Sequence, residues 1–274
     1  MGTVCVEVAV RDDVRLLDAV DSLAAQTRPP DRVLIAAATD TPEPLLAEAR
    51  RRLGAIAVEV ARLPGGVVGA RSGSLGLIRE DTTAFLDSDE RAPRDWLVQL
   101  VAPIEAGTAD FVGGPTRPVR PPVTAIERYS VLLEESIYHD LVPRSITYVP
   151  LQNTAWRTSL LRSIGFDPRI PFAEDHDLET RAARAGARGA FLPGAFVFHD
   201  QSEETNLYRW ARKRYRYLVA MAMSLMKNGE LHGRLEERRP PVRHPLRYLE
   251  AMLKPFALLT ASVRWRRERA RPRR

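Results

Sequence analysis

Asp87-Ser88-Asp89 sets two carboxylates one residue apart, directly after the apolar pair Phe85-Leu86 and immediately before Glu90. Two acids so placed, just past a strand end, can face one hard divalent cation or one diphosphate–metal unit. That chemistry is needed where a diphosphate departs, because the leaving group gains charge as its bond to carbon breaks and a metal offsets that charge. An Asp-x-Asp triplet is equally at home in a solvated turn, so its weight comes from what accompanies it. Gly69-Ala70-Arg71 lies sixteen residues before Asp87. Downstream come Gly165-Phe166-Asp167, the acid-rich Ala173-Glu174-Asp175-His176-Asp177, and Val197-Phe198-His199. An arginine offers phosphate a planar, permanently charged fork. A carboxylate ahead of a helix can take a proton or cap the helix. A neutral imidazole can complete a metal shell or be a satisfied structural histidine.

The elements around these residues alternate in type. Val4, Val6, Val8 and Val10 alternate as a first strand, and Leu16, Leu17, Val20, Leu23 and Ala24 fall at helical spacing before Pro29-Pro30. Residues 32–38 form an almost wholly apolar strand, as in a sheet buried on both faces. A helix through Leu45, Leu46, Ala49 and Leu53 leads to a third strand at 55–60. The Gly-rich stretch from Gly65 to Gly76 passes through a short helix to a strand at 82–86 that ends in the acids. This repetition predicts an α/β chain with an open, mostly parallel central sheet. Ligands of such sheets bind beyond the carboxyl ends of the strands, where Asp87 falls. The second half is less regular. It reads as helices at 96–105, near 126–139 and at 178–186, and short strands at 111–113, 190–192 and 196–198. A Pro-rich stretch occupies 115–122. Two helical segments follow, 205–228 and, after Pro240-Pro241, 246–263.

The ordered set resembles the family-2 glycosyltransferases of the A-type fold over roughly residues 4–200. The resemblance is carried by Leu23-Ala24-Ala25-Gln26, Ala70-Arg71, the Asp87-Ser88-Asp89 block followed by Trp96-Leu97, Gly165-Phe166-Asp167, Glu174-Asp175 and His199. It implies a single Rossmann-type domain over residues 1–204, with a donor half to about 115 and an acceptor half beyond, and a C-terminal helical extension at 205–274. It also implies an inverting, metal-dependent transfer from a nucleotide-sugar donor to an acceptor hydroxyl, expected on a glycan or lipid-linked glycan, and the lack of the membrane helices of processive synthases points to a single sugar. Asp89 would ligate Mn or Mg directly. Asp87, with Ser88, would meet the ribose or the metal-bound diphosphate, and His199 would complete the metal or diphosphate shell. Arg71 would pair with donor phosphate or nucleotide. Asp175 would be the general base, since the family places that role on the second acid of the Glu-Asp pair rather than on Glu174 or Asp177. The sequence departs from the family at the end of the second strand, where Ile35-Ala36-Ala37-Ala38 stands in place of the acid that holds the nucleobase, with Asp40 a few residues later. Ser72 replaces the usual Asn. Asn206-Leu207-Tyr208-Arg209-Trp210 is a faint likeness to a motif of processive synthases, and a basic helix with a buried Trp210 explains it as well. Two other readings stand beside the first. One is a catalytically silent nucleotide-sugar-binding or scaffold subunit. The other is a sugar nucleotidyltransferase, which would need a Gly-rich phosphate loop where this chain has Arg11-Asp12-Asp13.

Seven arginines and one glutamate between residues 264 and 274 account for the whole formal charge of +6, leaving residues 1–263 balanced. The body therefore need not attract polyanions, and no nucleic-acid module accompanies the arginines. Leu246, Leu249, Met252, Leu253, Phe256 and Leu259 make an apolar stripe before that cluster. Stripe and arginines fit either an interfacial helix on anionic lipid or a helix packed on its own domain with a solvated end. The single Cys5 allows no internal disulfide, and no signal-peptide pattern or span of apolar residues long enough to cross a bilayer occurs. The expected location is the cytoplasm, with peripheral contact at the inner membrane face.

Overall fold

A computed structural model describes residues 2–139, 149–202, 206–229 and 243–270. In chain order the first half runs β1 (Val4–Val10), α1 (Leu16–Ala24), β2 (Arg32–Ala38), α2 (Glu43–Leu53), β3 (Ala57–Leu63), α3 (Gly66–Ser74), β4 (Thr82–Asp87), β5 (Glu90–Arg91) and α4 (Trp96–Glu105). The second half runs β6 (Phe111–Gly113), β7 (Thr116–Pro118), α5 (Ala125–His139), β8 (Asn153–Arg157), α6 (Thr158–Ile164), α7 (Glu174–Arg184), β9 (Gly189–Phe191), β10 (Val197–His199), α8 (Leu207–Asn228) and α9 (Pro245–Ala270). The expected α/β architecture is present. A seven-stranded sheet has the order β3-β2-β1-β4-β8-β6-β9, and only β8 runs against the others.

Every residue of β1 is buried, because parallel neighbours flank it and helices cover both faces. Its pleat sorts the side chains. Val4, Val6, Val8 and Val10 join Leu16, Leu46, Trp96 and Leu100 in the main core, while Cys5 packs with Leu34 and Ile78 on the opposite face. Glu7 shares that second face, beneath α3. The Gly-rich stretch is itself α3, entered through Gly65 at φ 94°, a left-handed conformation that glycine adopts without strain. A Cβ on Gly69 would stand 2.5 Å from the Pro64 carbonyl oxygen, so glycine there lets α3 lie tightly against the end of β3.

Several elements differ from the sequence expectation. β8 occupies the sheet centre, and its Asn153 is wholly buried because Trp96 Nε1 donates to its Oδ1 at 2.7 Å and its Nδ2 donates to the Pro115 and Ala195 carbonyls. The Pro-rich stretch contains β7. With β5 and β10 it forms a second sheet in the order β5-β10-β7. α7 starts four residues earlier than its apolar spacing suggests, at Glu174, with three acids in its first turn where the helix dipole favours them. α9 is continuous through Pro255 and into the arginine cluster as far as Ala270. Expectations for Thr205, Pro240, Pro241, Arg271, Arg273 and Arg274 lie outside the described residues. The C-terminal helices share a core with the segment before α7: Val219, Ala220 and Met223 of α8 and Ala257 and Ala261 of α9 cluster with Ile170 and Ala173. Trp210 is buried edge-on to Tyr129, and Asn206 caps α8 by accepting from the amides of Tyr208 and Arg209.

Candidate functional site

The parallel strands end together, and the acids stand at that edge. β1 and β4 are in register with Ala9 opposite Asp87, so the turn Asp87-Ser88-Asp89 emerges beyond the carboxyl ends. Its two carboxylates then diverge. Asp87 Oδ1 accepts from Arg71 Nη2 at 2.6 Å, and Arg71 Nη1 donates to Glu174 Oε1 at 2.8 Å. Glu7 Oε2 stands 3.9 Å from Arg71 Nε. Arg71 is only 4% exposed, so its charge is matched by protein carboxylates rather than by water. The guanidinium expected to meet donor phosphate thus also ties Asp87 to Glu174, through one N–H of each Nη.

Asp89 faces the other way. Its Oδ2 lies 3.5 Å from His199 Nε2 and 3.8 Å from Arg15 Nη2. The small sheet makes this meeting possible. β10 pairs antiparallel with β5, setting His199 opposite Glu90, and the Asp200 amide donates to the Asp89 carbonyl at 2.9 Å. Behind the imidazole, Glu134 Oε1 lies 3.2 Å from Nδ1 and accepts from Gln201 Nε2 at 2.7 Å. The second Glu134 oxygen accepts from Thr116 Oγ1.

The electrostatics follow from burial and these pairs. Burial pushes Glu7 up to about 7, against the opposing pull of Arg71. Burial, with the nearby Asp87 charge, holds Glu90 well above the carboxylate range. Asp87 is raised by burial although Arg71 opposes it. For Asp89 the hydrogen bond and charge of His199 outweigh burial, and it is lowered. Burial alone would lower His199, but Glu134 and Asp89 win and raise it well above its ordinary value.

The acid-rich start of α7 divides by environment. Asp177 is fully buried in a structural network, with Arg181 at 2.8 Å, Lys227 at 2.7 Å and Asn228 Nδ2 at 3.1 Å. Lys227 also binds Asp167 at 2.7 Å, and Arg181 donates to the Ile164 and Gly165 carbonyls, so Gly165-Phe166-Asp167 is an anchor for this helix. Glu174 is consumed by Arg71. Asp175 is only partly buried, and its Oδ1 accepts from the His176 amide at 2.7 Å. Just upstream, Phe172 has φ 83°, a left-handed conformation that is costly for a bulky residue and occurs in over-determined settings. Arg216 of α8 covers its ring at 4.2 Å. Asp40, past the end of β2, is exposed and pairs with Arg11 at 3.0 Å. Ser88 is buried in its turn.

Four site residues were not singled out from the sequence: Glu7, Arg15, Glu90 and Glu134. Glu7 carries a legible signal, an acid inside an otherwise apolar strand. Glu134 carries none, being one of two adjacent glutamates on an amphipathic helix.

The open, largely parallel sheet with acids at its carboxyl edge and a short second sheet supplying His199 is the architecture of an A-type glycosyltransferase. The mannosyltransferase PcManGT from Pyrobaculum calidifontis, solved with GDP-Man and Mn2+, superposes with a TM-score of 0.63 at 20% identity, covering 100% of this chain and 76% of that one. TarS 1–349 of S. aureus in complex with UDP gives 0.55 at 16% identity over 97% of this chain and 92% of that one. These likenesses show the fold. A family model described as glycosyltransferase like family 2 matches residues 3–217, and the chain belongs to that family. It is also 32% identical over 157 residues to the pre-mycofactocin glycosyltransferase of Mycobacterium tuberculosis, a match covering 55% of this chain and about a third, 33%, of that protein. Among the described residues no helix is long and apolar enough to cross a membrane.

Proposed function

We propose that this chain moves one sugar from a nucleotide-sugar donor to an acceptor hydroxyl by a single inverting displacement, with Asp175 as the base. The observation that carries this reading is the tie between the two halves of the site. Arg71 joins Asp87, at the end of β4, to Glu174, at the start of α7, and Asp175 is the next residue. A base for inversion must stand beside the acceptor hydroxyl, on the face of the anomeric carbon opposite the departing diphosphate. Of the three acids in the first turn of α7, Glu174 and Asp177 are held in buried ion pairs, which leaves Asp175 as the partly exposed one.

A divalent metal fits the other arm of the site. Asp89 and His199 approach within 3.5 Å, a carboxylate and an imidazole that would suit Mn once the ring gives up the proton that Glu134 and Asp89 favour. Among the described residues no three His, Cys, Asp or Glu side chains are gathered to hold an ion by themselves. A cation here would need donor phosphates and water to complete its shell. When bound, the metal would offset the charge that develops on the leaving diphosphate. Asp87, with Oδ1 on Arg71, has its second oxygen for the ribose or diphosphate, and Arg15 adds a cation at the same edge. Glu134 orients the His199 ring by holding Nδ1. Neighbours solved with GDP-Man and Mn2+, or with UDP-GlcNAc, support a nucleotide-sugar donor. The acceptor is a glycan or lipid-linked glycan in this reading.

The test is Asp175→Asn. Nucleotide-sugar binding in the presence of Mn, measured by calorimetry, should persist, while turnover in a donor and acceptor panel falls about 10²-fold or more. Near-normal turnover would remove Asp175 as the base.

A further inference from the structure

We propose that the outward face of α9 is a docking surface for an anionic membrane. Six large apolar side chains of this helix are exposed, and apart from Leu258 they line up: Tyr248, Met252, Phe256, Leu259 and Val263, from 43% for Val263 to 77% for Tyr248. At 3.6 residues per turn they fall within an arc of about 80° and run about 22 Å along the helix. Such a stripe is not surface scatter, because its members share one face and the helix core lies elsewhere. The inward face is defined by Ala257, Ala261 and the buried Glu250, which accepts from Tyr129 Oη at 2.7 Å and pairs with Arg214 at 3.0 Å.

Charge decides the occupant. Arg264, Arg266, Arg267 and Arg269 are exposed at the C-terminal end of the same helix. Arg266 stands five turns beyond Tyr248 and so continues the stripe, and Arg267 flanks it. Both acids of α9, Glu250 and Glu268, are five turns apart from each other and lie on the side opposite the stripe. The outward face is thus apolar along its length and cationic at one end, with no acid within it. A second copy meeting this face by two-fold symmetry would offer the arginines no counter-charge. A bilayer surface containing anionic lipid supplies both an apolar phase for the stripe and phosphates for the arginines.

The inward side of α9 touches the segment leading to α7, with the Arg169 guanidinium 5.4 Å from the Trp265 ring centre. The start of α7 would then ride about one helix diameter, ~10 Å, above the headgroups.

The experiment is co-flotation of the full chain with vesicles of phosphatidylcholine alone and of phosphatidylcholine mixed with phosphatidylglycerol. Neither donor nor acceptor is involved, so its result is independent of the transferase reading. The wild type should float with the mixed vesicles only, and less so as salt rises. Arg266→Glu with Arg267→Glu should reduce partitioning about 30-fold or more. Phe256→Ser with Leu259→Ser should reduce it at least about tenfold. All four side chains are exposed, and an unchanged melting curve would verify folding of the variants. Wild-type protein that stays with the soluble fraction at low salt, or variants that float as well as wild type, would overturn the proposal. So would a dimer in light scattering that Phe256→Ser with Leu259→Ser splits, since the face would then belong to a second copy.

Discussion

Asp87 and Asp89 stand one residue apart and meet opposite partners. Asp87 reaches inward to Arg71, a guanidinium almost sealed from solvent and shared with Glu174. Asp89 reaches the opposite way, outward from that network, to His199 and Arg15. A triplet that reads as one two-toothed chelate thus has one tooth held by Arg71 and the other set against His199 and Arg15. The difference teaches that equivalent carboxylates acquire distinct work from what faces them. A buried charge network is costly to break from one side, because the remaining partners are left uncompensated. Removing the Asp89 carboxylate strands less, because Arg15 keeps its pair with Asp13 and His199 its pair with Glu134.

The largest expected contrast follows directly. Arg71→Met strands Glu7, Asp87 and Glu174, and urea denaturation should show a loss of about 3–5 kcal/mol. Asp89→Asn should cost less than that, yet abolish the gain in UDP or GDP affinity on adding Mn. If Arg71→Met were as stable as wild type, or if Asp89→Asn kept its Mn-dependent affinity, the two arms would not be distinct.

A smaller effect sharpens the inward arm through pH. Burial raises Glu7 from 4.5 to about 7, so the native state holds an extra proton between those values. Wild-type stability attributable to Glu7 therefore falls as pH rises through that window. Glu7→Gln has no proton to lose. Its stability relative to wild type should improve from pH 5 to pH 8 by on the order of 2 kcal/mol. Parallel curves for the two proteins across this range would show that Glu7 is not perturbed.

The smallest change concerns the outward arm. Glu134 holds the far nitrogen of His199 and does not itself face Asp89. Glu134→Gln should weaken Mn binding about tenfold, read by calorimetry in the presence of nucleotide, while leaving the fold intact. A loss as complete as that of Asp89→Asn would place Glu134 among the ligands instead.

The parallel half of the sheet was readable because buried parallel strands are apolar throughout and their helices carry one apolar stripe. β1, α1, β2, α2, β4 and α4 sit where periodicity puts them. β8 was not readable. Its Asn153-Thr154-Ala155-Trp156-Arg157 has no strand-like alternation, and Asn153 is tolerated in the sheet centre only because Trp96, Pro115 and Ala195 satisfy its amide. The start of α7 failed for a related reason. Glu174, His176 and Asp177 look like a polar loop, yet they are buried because Arg71, Ser224 and Lys227 reach them from distant parts of the chain. The α9 stripe was visible, but which of its residues turn inward was not.

By itself the sequence determined the α/β class, the order of the acidic motifs and their position beyond a strand end, because these depend on local periodicity and on residue chemistry. Only the tertiary structure decided which acid meets the buried arginine and which meets the histidine. That choice depends on Arg71 arriving from α3, Glu174 from α7 and His199 from a three-residue strand paired with Glu90-Arg91. Charges interact through space at a few ångströms, and spacing along the chain carries no record of that distance.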